Sequence, residues 1–235
     1  MKKAKTDELS SDRIRVCPLT DEEMEALIAR TEDEGLRAAY TEMLDGSRAD
    51  PENRLFCTAW KITSADAPQT VIGDLCFKGA PDEYETVEIG YGVEPEYRNQ
   101  GYATEAVGLL TAWAFAQKGV SFVSAQADAE NTASRRVLEK SGFVRDDTAY
   151  VKEHEEGCVL CSLEGPLPPV LAFCMCIGLC LGSAIGVLAH NLGIGFPIGI
   201  LGGATLGAIL DSRNRDARKK LKERLRKRSA PSANE

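Results

Sequence analysis

The run EIGYGVEPEYRNQGYATEA, residues 88–106, joins a strand to a helix through a glycine-bearing loop. VEIGYGV (87–93) reads as a strand. Its glycines at 90 and 92 are unusual there, because glycine weakens a strand and marks a bulge or a close backbone approach by a ligand. Ala106, Val107, Leu110, Trp113 and Ala114 then recur at helical spacing, which predicts a helix from about Tyr102 to Gln117. Between the two, Arg98, Asn99, Gln100, Gly101, Tyr102, Ala103 and Thr104 place consecutive backbone N–H groups at a helix N-terminus. Unpaired donors and the helix dipole make such a loop a site for phosphate or pyrophosphate. Gly101 lets the backbone approach without a Cβ in the way, and Arg98 adds positive charge. By itself an Arg-x-x-Gly-x-Ala run is equally a charged helix start.

Outward from this segment, RIRVCPLT (13–20) alternates and stops at a proline and threonine, reading as a first strand followed by a helix cap. Helical stretches follow at 21–30 and 34–45. LFCTAWKIT (55–63) and VIGDLCFKG (71–79) look like a strand pair joined by a polar loop. Beyond the central helix, VSFVSAQAD is a strand. NTASRRVLEKSG is a short amphipathic helix with Val137 and Leu138 inward and Gly142 as its stop. Strand-like runs at 143–152 and at CVLCSL close the unit near Glu164. This order predicts an α/β (α+β) domain over residues 1–165, with a mixed sheet flanked by helices.

Charge divides the chain. The stretch from Asp211 onward holds ten Lys/Arg against four acids, whereas the remainder holds 18 against 32. An acidic globular part argues against nucleic acid as its partner. No apolar run follows the N-terminal lysines, so no secretory signal is expected. The eight cysteines show no zinc-like pairing of Cys/His spacings, Cys158 and Cys161 forming a lone C-x-x-C. They read as reduced thiols acting as small hydrophobes, with no metal site.

About thirty residues after the loop, ENTASRRVLEKSGF (130–143) opens and closes the next helix. With EIGYGVEPEYRNQGYATEA, and with IRVCPLTDEE at the start, this resembles the GNAT superfamily of acyl-CoA N-acyltransferases. Within it the likeness is to the branch similar to the RimJ/RimL ribosomal-protein acetyltransferases, over residues 12–164. The resemblance implies a GNAT-like, mostly antiparallel mixed sheet and acetyl-CoA as co-substrate. It implies that the loop from Arg98 to Thr104 holds the CoA pyrophosphate. The pantetheine arm would pair like an extra strand with Tyr91, Gly92 and Val93, and Asn131 would contact that arm. The reaction it implies is attack of a substrate amine on the thioester carbonyl, eased by a backbone N–H at the oxyanion and by a base for the amine. Glu88 is the candidate base, with Asp74, Glu83 and Glu85 competing. Many family members carry a tyrosine seven residues after the asparagine, where this chain has Leu138. Ser134 occupies the position from which RimJ/RimL-like members protonate the thiolate or orient CoA, and it equally suits a helix-start hydrogen bond. The acceptor stays open among protein N-termini, amino acids, polyamines and aminoglycosides.

Between Glu164 and Asp211 there is no Asp, Glu, Lys or Arg. Pro169 to Ala189 and Leu192 to Leu210 are each long enough as a helix, roughly 30 Å, to cross a hydrocarbon core. Gly178, Gly182 and Gly186 repeat every fourth residue, as do Gly195, Gly199, Gly203 and Gly207. Each helix thus carries a stripe on which a neighbour packs closely, within one chain or between copies in a homo-oligomer. The expectation is a transmembrane hairpin over 166–211, contacting the membrane through 169–210, and a basic cytoplasmic tail over 212–235. A hairpin returns the chain to its own side, so the catalytic domain is expected to be cytoplasmic as well. The competing readings are a catalytically silent acyl-CoA-binding module that regulates the membrane assembly, and a hairpin that is itself a small pore.

Overall fold

The computed structural model describes residues 8–145, 158–167, 170–188 and 192–229. Expectations for residues 146–157, the connection 189–191 and the tail beyond 229 lie outside these. The chain divides into two compact units, Met1–Gly165 and Pro166–Glu235.

The first unit is built on an eight-stranded sheet in the order β1-β2-β3-β4-β5-β6-β8-β7. Its strands are β1 (Leu9–Ser10), β2 (Ile14–Pro18), β3 (Ala59–Ser64), β4 (Val71–Phe77), β5 (Thr86–Val93), β6 (Phe122–Asp128), β7 (Val144–Arg145) and β8 (Cys158–Glu164). Every neighbouring pair is antiparallel except β5 and β6. The helices are α1 (Asp21–Arg30), α2 (Glu34–Ala49), α3 (Tyr102–Phe115) and α4 (Thr132–Lys140). This is the mixed, mostly antiparallel α/β architecture expected. One strand begins later than predicted: Arg54–Phe56 form a 3₁₀ turn and β3 starts at Ala59. The Trp60 indole N–H donates to the Leu55 carbonyl (3.0 Å) and Phe56 is buried, so tertiary packing folds that apolar run into a turn.

Helix starts follow local chemistry. Thr20 caps α1 in a full capping box with Glu23, its hydroxyl accepting from the Glu23 N–H (3.2 Å) while Glu23 accepts from the Thr20 N–H (2.9 Å). α3 buries Ala106, Val107, Leu110 and Ala114 against the sheet, the stripe its spacing announces. Trp113 locks it there, packing on Trp60, Phe56 and Phe77 with ring centroids 5.0, 5.1 and 6.0 Å away. On the other face, α1 and α2 cover a smaller cluster of Leu19, Met24, Tyr40, Leu44 and Ala59. That cluster meets the sheet at Ala59 of β3, and its Tyr40 reaches Asp74 of β4.

Gly73 decides how closely β4 and β5 pack. A Cβ there would overlap the Gly92 carbonyl oxygen and stand 2.9 Å from Val93 Cα. Backbone cannot step aside as a side chain can, so Gly73→Ala should cost about 1–3 kcal/mol or more of stability. Denaturant unfolding of the two proteins measures it, and equal midpoints would contradict this packing.

The second unit contains α5 (Val170–Leu188) and α6 (Leu192–Ser229). The apolar segment and the basic stretch do not separate: α6 continues unbroken through Ser229, with Pro197 in its second turn, where it forgoes the N–H bond to the Gly193 carbonyl. The two helices meet glycine on glycine in antiparallel register. A Cβ on Gly178 would overlap the Gly199 carbonyl, and one on Gly182 the Gly195 carbonyl. One on Gly207 would stand 2.7 Å from Leu171 Cα. Both helices are long and apolar enough to cross a membrane.

Candidate active site

β5 and β6 pair at only three positions, Thr86↔Phe122, Val87↔Val123 and Glu88↔Ser124. Beyond Glu88, β5 stays with β4 as far as Val93↔Gly73, while β6 stays with β8 as far as Asp128↔Cys158. The parallel strands therefore part, and a wedge opens between Ile89–Val93 and Ala125–Asp128. Among the described residues no strand pairs with these two edges, which suits an extended amide-bearing chain laid in as a further strand.

The alternation of β5 sorts its residues. Val87 and Ile89 are buried in the main core, with Tyr91 and Val93 packed on it. Glu88, Gly90 and Gly92 fall on the opposite face. There Gly92 lies beside Asp74, where a Cβ would stand 3.4 Å from Asp74 Oδ1, and Gly90 lies beside Cys76, 3.6 Å from its sulfur. The two glycines thus keep a shallow floor of bare backbone between β4 and the wedge. Glu88 stands at the apex, where pairing ends. Lys78 Nζ contacts its Oε1 (2.5 Å), and Gln126 donates to the same oxygen (3.2 Å). Asp74 accepts from the Tyr40 hydroxyl (2.8 Å). Burial raises the Asp74 carboxyl above the usual carboxylate range, and burial beside Asp74 drives the Tyr40 hydroxyl well above its own. Burial also pushes the Cys76 thiol up to about 11, so it stays protonated. The remaining sequence candidates for a base, Glu83 and Glu85, precede β5 at the closed end of the strand pair, where Ser121 donates to the Glu85 carboxylate.

At the open end, β5 runs through a turn at Pro95–Tyr97 into the loop. Asn99 (φ 62°) and Gly101 (φ 86°) adopt left-handed backbone. Gly101 is the N-cap of α3 and has no side chain to cap it, so the first-turn N–H groups remain available to an anion. The Arg98 Nε donates to the Val93 carbonyl (3.0 Å), tying the loop to the strand end. Gln100 Nε2 donates to the Glu96 carbonyl (2.9 Å). The brace beneath has no local signature in the sequence. Arg13, on the approach to β2, donates to the Gln100 carbonyl (3.1 Å) and to Glu105 Oε2 (2.9 Å from Nε), and lies over the Tyr102 ring at 4.9 Å. The alternation of RIRV marked a strand and carried no sign of a partner ninety residues away.

On the far wall, Asn131 caps α4, its Oδ1 accepting from the Ser134 N–H (3.0 Å). The Tyr91 hydroxyl lies 2.8 Å from Ser134 Oγ and 3.1 Å from the Ser134 carbonyl, and its single hydrogen can serve either oxygen. Leu138 is fully buried. The structure therefore gathers Glu88, Tyr91, Gly92, Val93, the loop from Arg98 to Thr104, Asn131 and Ser134 around one wedge. Among the described residues no group of three His, Cys, Asp or Glu side chains could hold a metal ion.

A family model for the acetyltransferase (GNAT) domain matches residues 9–144, from β1 to β7. The chain belongs to the GNAT acetyltransferase family. It is 28% identical over 159 residues to the uncharacterized N-acetyltransferase YoaA of Bacillus subtilis, covering 63% of this chain and 89% of that protein. It is 32% identical over 96 residues to the uncharacterized N-acetyltransferase YjdG of the same organism, covering 41% of this chain and 56% of YjdG. Among solved structures, an acetyltransferase from Agrobacterium tumefaciens shares the GNAT fold, with a TM-score of 0.53, 17% identity, and coverage of 70% of this chain and 98% of that one. RimL, solved in complex with coenzyme A, shares it at 0.50 and 13% identity, covering 68% of this chain and 98% of its own. The GNAT fold is one whose members take acetyl-CoA, and the residues here fit it: an uncapped helix N-terminus and left-handed glycine at the mouth of an unfilled strand position.

Proposed function

We propose that this GNAT domain is an acetyl-CoA-dependent N-acetyltransferase that acetylates a primary amine, tethered to the cytoplasmic face of a membrane by the α5–α6 hairpin. The observation that carries the catalytic part is the wedge between β5 and β6, with the anion loop at its open end and Glu88 at its apex. Acetyl-CoA would supply the thioester carbonyl. The loop from Arg98 to Thr104 holds the phosphates through backbone N–H groups, and Tyr91, Gly92 and Val93 with Asn131 guide the pantetheine arm. Glu88 takes a proton from the incoming amine, directly or through water. Gln126 and Lys78 fix its rotamer at the point where the wedge begins. Ser134 orients the sulfur end. The amine approaches over the bare floor at Gly90 and Gly92, where Asp74 and Glu88 favour a cationic acceptor.

Membrane attachment rests on the glycine-lined contact of α5 with α6. Exposed leucines, isoleucines and phenylalanines such as Phe173, Leu181, Ile185 and Leu201 lie around it. Glycine at this density disfavours a helix in water, whereas close helix packing in lipid uses it. The ten Lys/Arg after Asp211 favour the cytoplasmic side, and the stripes offer a surface for self-association.

A silent acyl-CoA-binding module is the second reading, favoured by the burial of Leu138 where many family members place a tyrosine. Incubating the full-length protein with acetyl-CoA and a panel of amines, with mass spectrometry for acetylated products, separates the two. No product from any amine, with CoA still bound, would favour the silent module. Full-length protein should sediment with membranes and require detergent. A stable oligomer in the soluble fraction without detergent would overturn the tether.

A further inference from the structure

The side chain of Tyr91 does something that its place on the pantetheine strand does not require. From β5 its hydroxyl reaches α4, which follows β6, and meets Ser134 Oγ at 2.8 Å and the Ser134 carbonyl at 3.1 Å. The contact spans the two walls of the wedge on the side of the main core, where Leu138 is fully buried and brings no polar atom. Both residues are partly buried, so the pair is shielded yet not sealed within the core.

We infer that Tyr91 is a positioning residue for the departing sulfur, holding the Ser134 hydroxyl so that its hydrogen is donated to the thiolate. This rests on the acetyl-CoA reading above. The phenol has one hydrogen; turned to the nearer of its two acceptors, Ser134 Oγ rather than the carbonyl, it fills that oxygen's acceptor role and frees the serine hydrogen to point into the wedge. The chemistry is hydrogen-bond donation, with no proton changing hands. Burial raises the Tyr91 hydroxyl above its ordinary value of about 10, and a serine hydroxyl is a weaker acid still. A thiol, near 8.5, is more acidic than either. Both hydroxyls therefore keep their protons while the electron pair of the broken C–S bond stays on sulfur. The stabilisation is that of a preorganised donor at a developing charge, with the tyrosine supplied from the strand and not from α4.

The test compares binding of CoA and desulfo-CoA to the full-length protein in detergent, by calorimetry from pH 7 to 9.5, so that the sulfur is read apart from turnover. In wild type, CoA should gain on desulfo-CoA as the thiol ionises. Tyr91→Phe should remove about tenfold of that advantage, as expected for a lost hydrogen bond to a charged group. Its desulfo-CoA affinity should remain within about twofold of wild type, as a donor acting only on sulfur requires. Ser134→Ala should show the same loss, the double variant no more than either single, and Ser134→Thr should retain the advantage. In acetyl transfer, Tyr91→Phe should lower kcat with KM for acetyl-CoA unchanged. Equal weakening of both ligands would make the contact merely structural and overturn the inference, as would an unchanged preference. Wild type that binds both ligands without preference at any pH defeats this inference alone. Wild type that binds neither defeats the acetyl-CoA reading together with it.

Discussion

Gly101→Glu should reduce affinity for CoA by roughly 100-fold or more, the loss expected when a charge-assisted site loses two hydrogen bonds and gains a like charge. Gly101 sits at φ 86°, and a residue with a Cβ pays about 1–2 kcal/mol to hold that conformation. Nothing in the fold otherwise forbids a side chain there, since an added Cβ meets only the Arg13 guanidinium at 3.5 Å. The protein should therefore fold, with the damage falling on the site. A carboxylate at the N-cap would occupy the first-turn N–H groups that an anion needs, and would draw Arg13 away from Gln100 and Glu105. Calorimetry with CoA on the two proteins, with a melting curve to show that the variant is folded, reads the difference. Equal affinity would remove the loop from Arg98 to Thr104 from the binding site.

The second large effect is expected at Glu88. Glu88→Gln keeps the size and one acceptor oxygen, so Gln126 retains a partner while Lys78 loses its ion pair. Lys78 is more than half exposed, so water replaces that pair at little cost in stability. A positioned base contributes on the order of 10²-fold or more to proton transfer, so turnover at neutral pH should fall well over tenfold. Acetyl-CoA affinity should stay close to wild type, because Glu88 stands at the apex and the phosphate loop at the mouth. Wild-type turnover would shift the base role to Asp74, the other carboxylate on that face, or to water.

The strand–loop–helix of 87–115 was legible almost residue by residue, because each of its signals is local. Apolar spacing sets the buried face of α3, and glycine alone accepts the backbone that ends the loop without strain. The glycines of β5 were likewise readable as unusual in a strand, and there they leave bare backbone beside Asp74 and Cys76. The turn at Arg54–Phe56 was not, since an apolar run of that length has no intrinsic preference strong enough to resist the packing of Phe56 and Trp60. Of the competing carboxylates, sequence ranked none decisively. Position relative to the wedge separates Glu88 on β5 and Asp74 on β4 from Glu83 and Glu85, which precede β5.

By itself the sequence determined most of the elements, the glycine-bearing loop that opens α3 and the two glycine-striped apolar helices, all of which depend on periodicity and on residues within a turn or two of each other. Tertiary structure alone decided where β5 leaves β6, because that depends on each strand keeping a different outer partner to its end. It also decided that Arg13 braces the loop, that Tyr91 meets Ser134, and that the stripes of α5 and α6 face one another backbone to backbone. Those contacts join residues far apart in the chain, and their geometry is set by sheet order and packing, which no local pattern encodes.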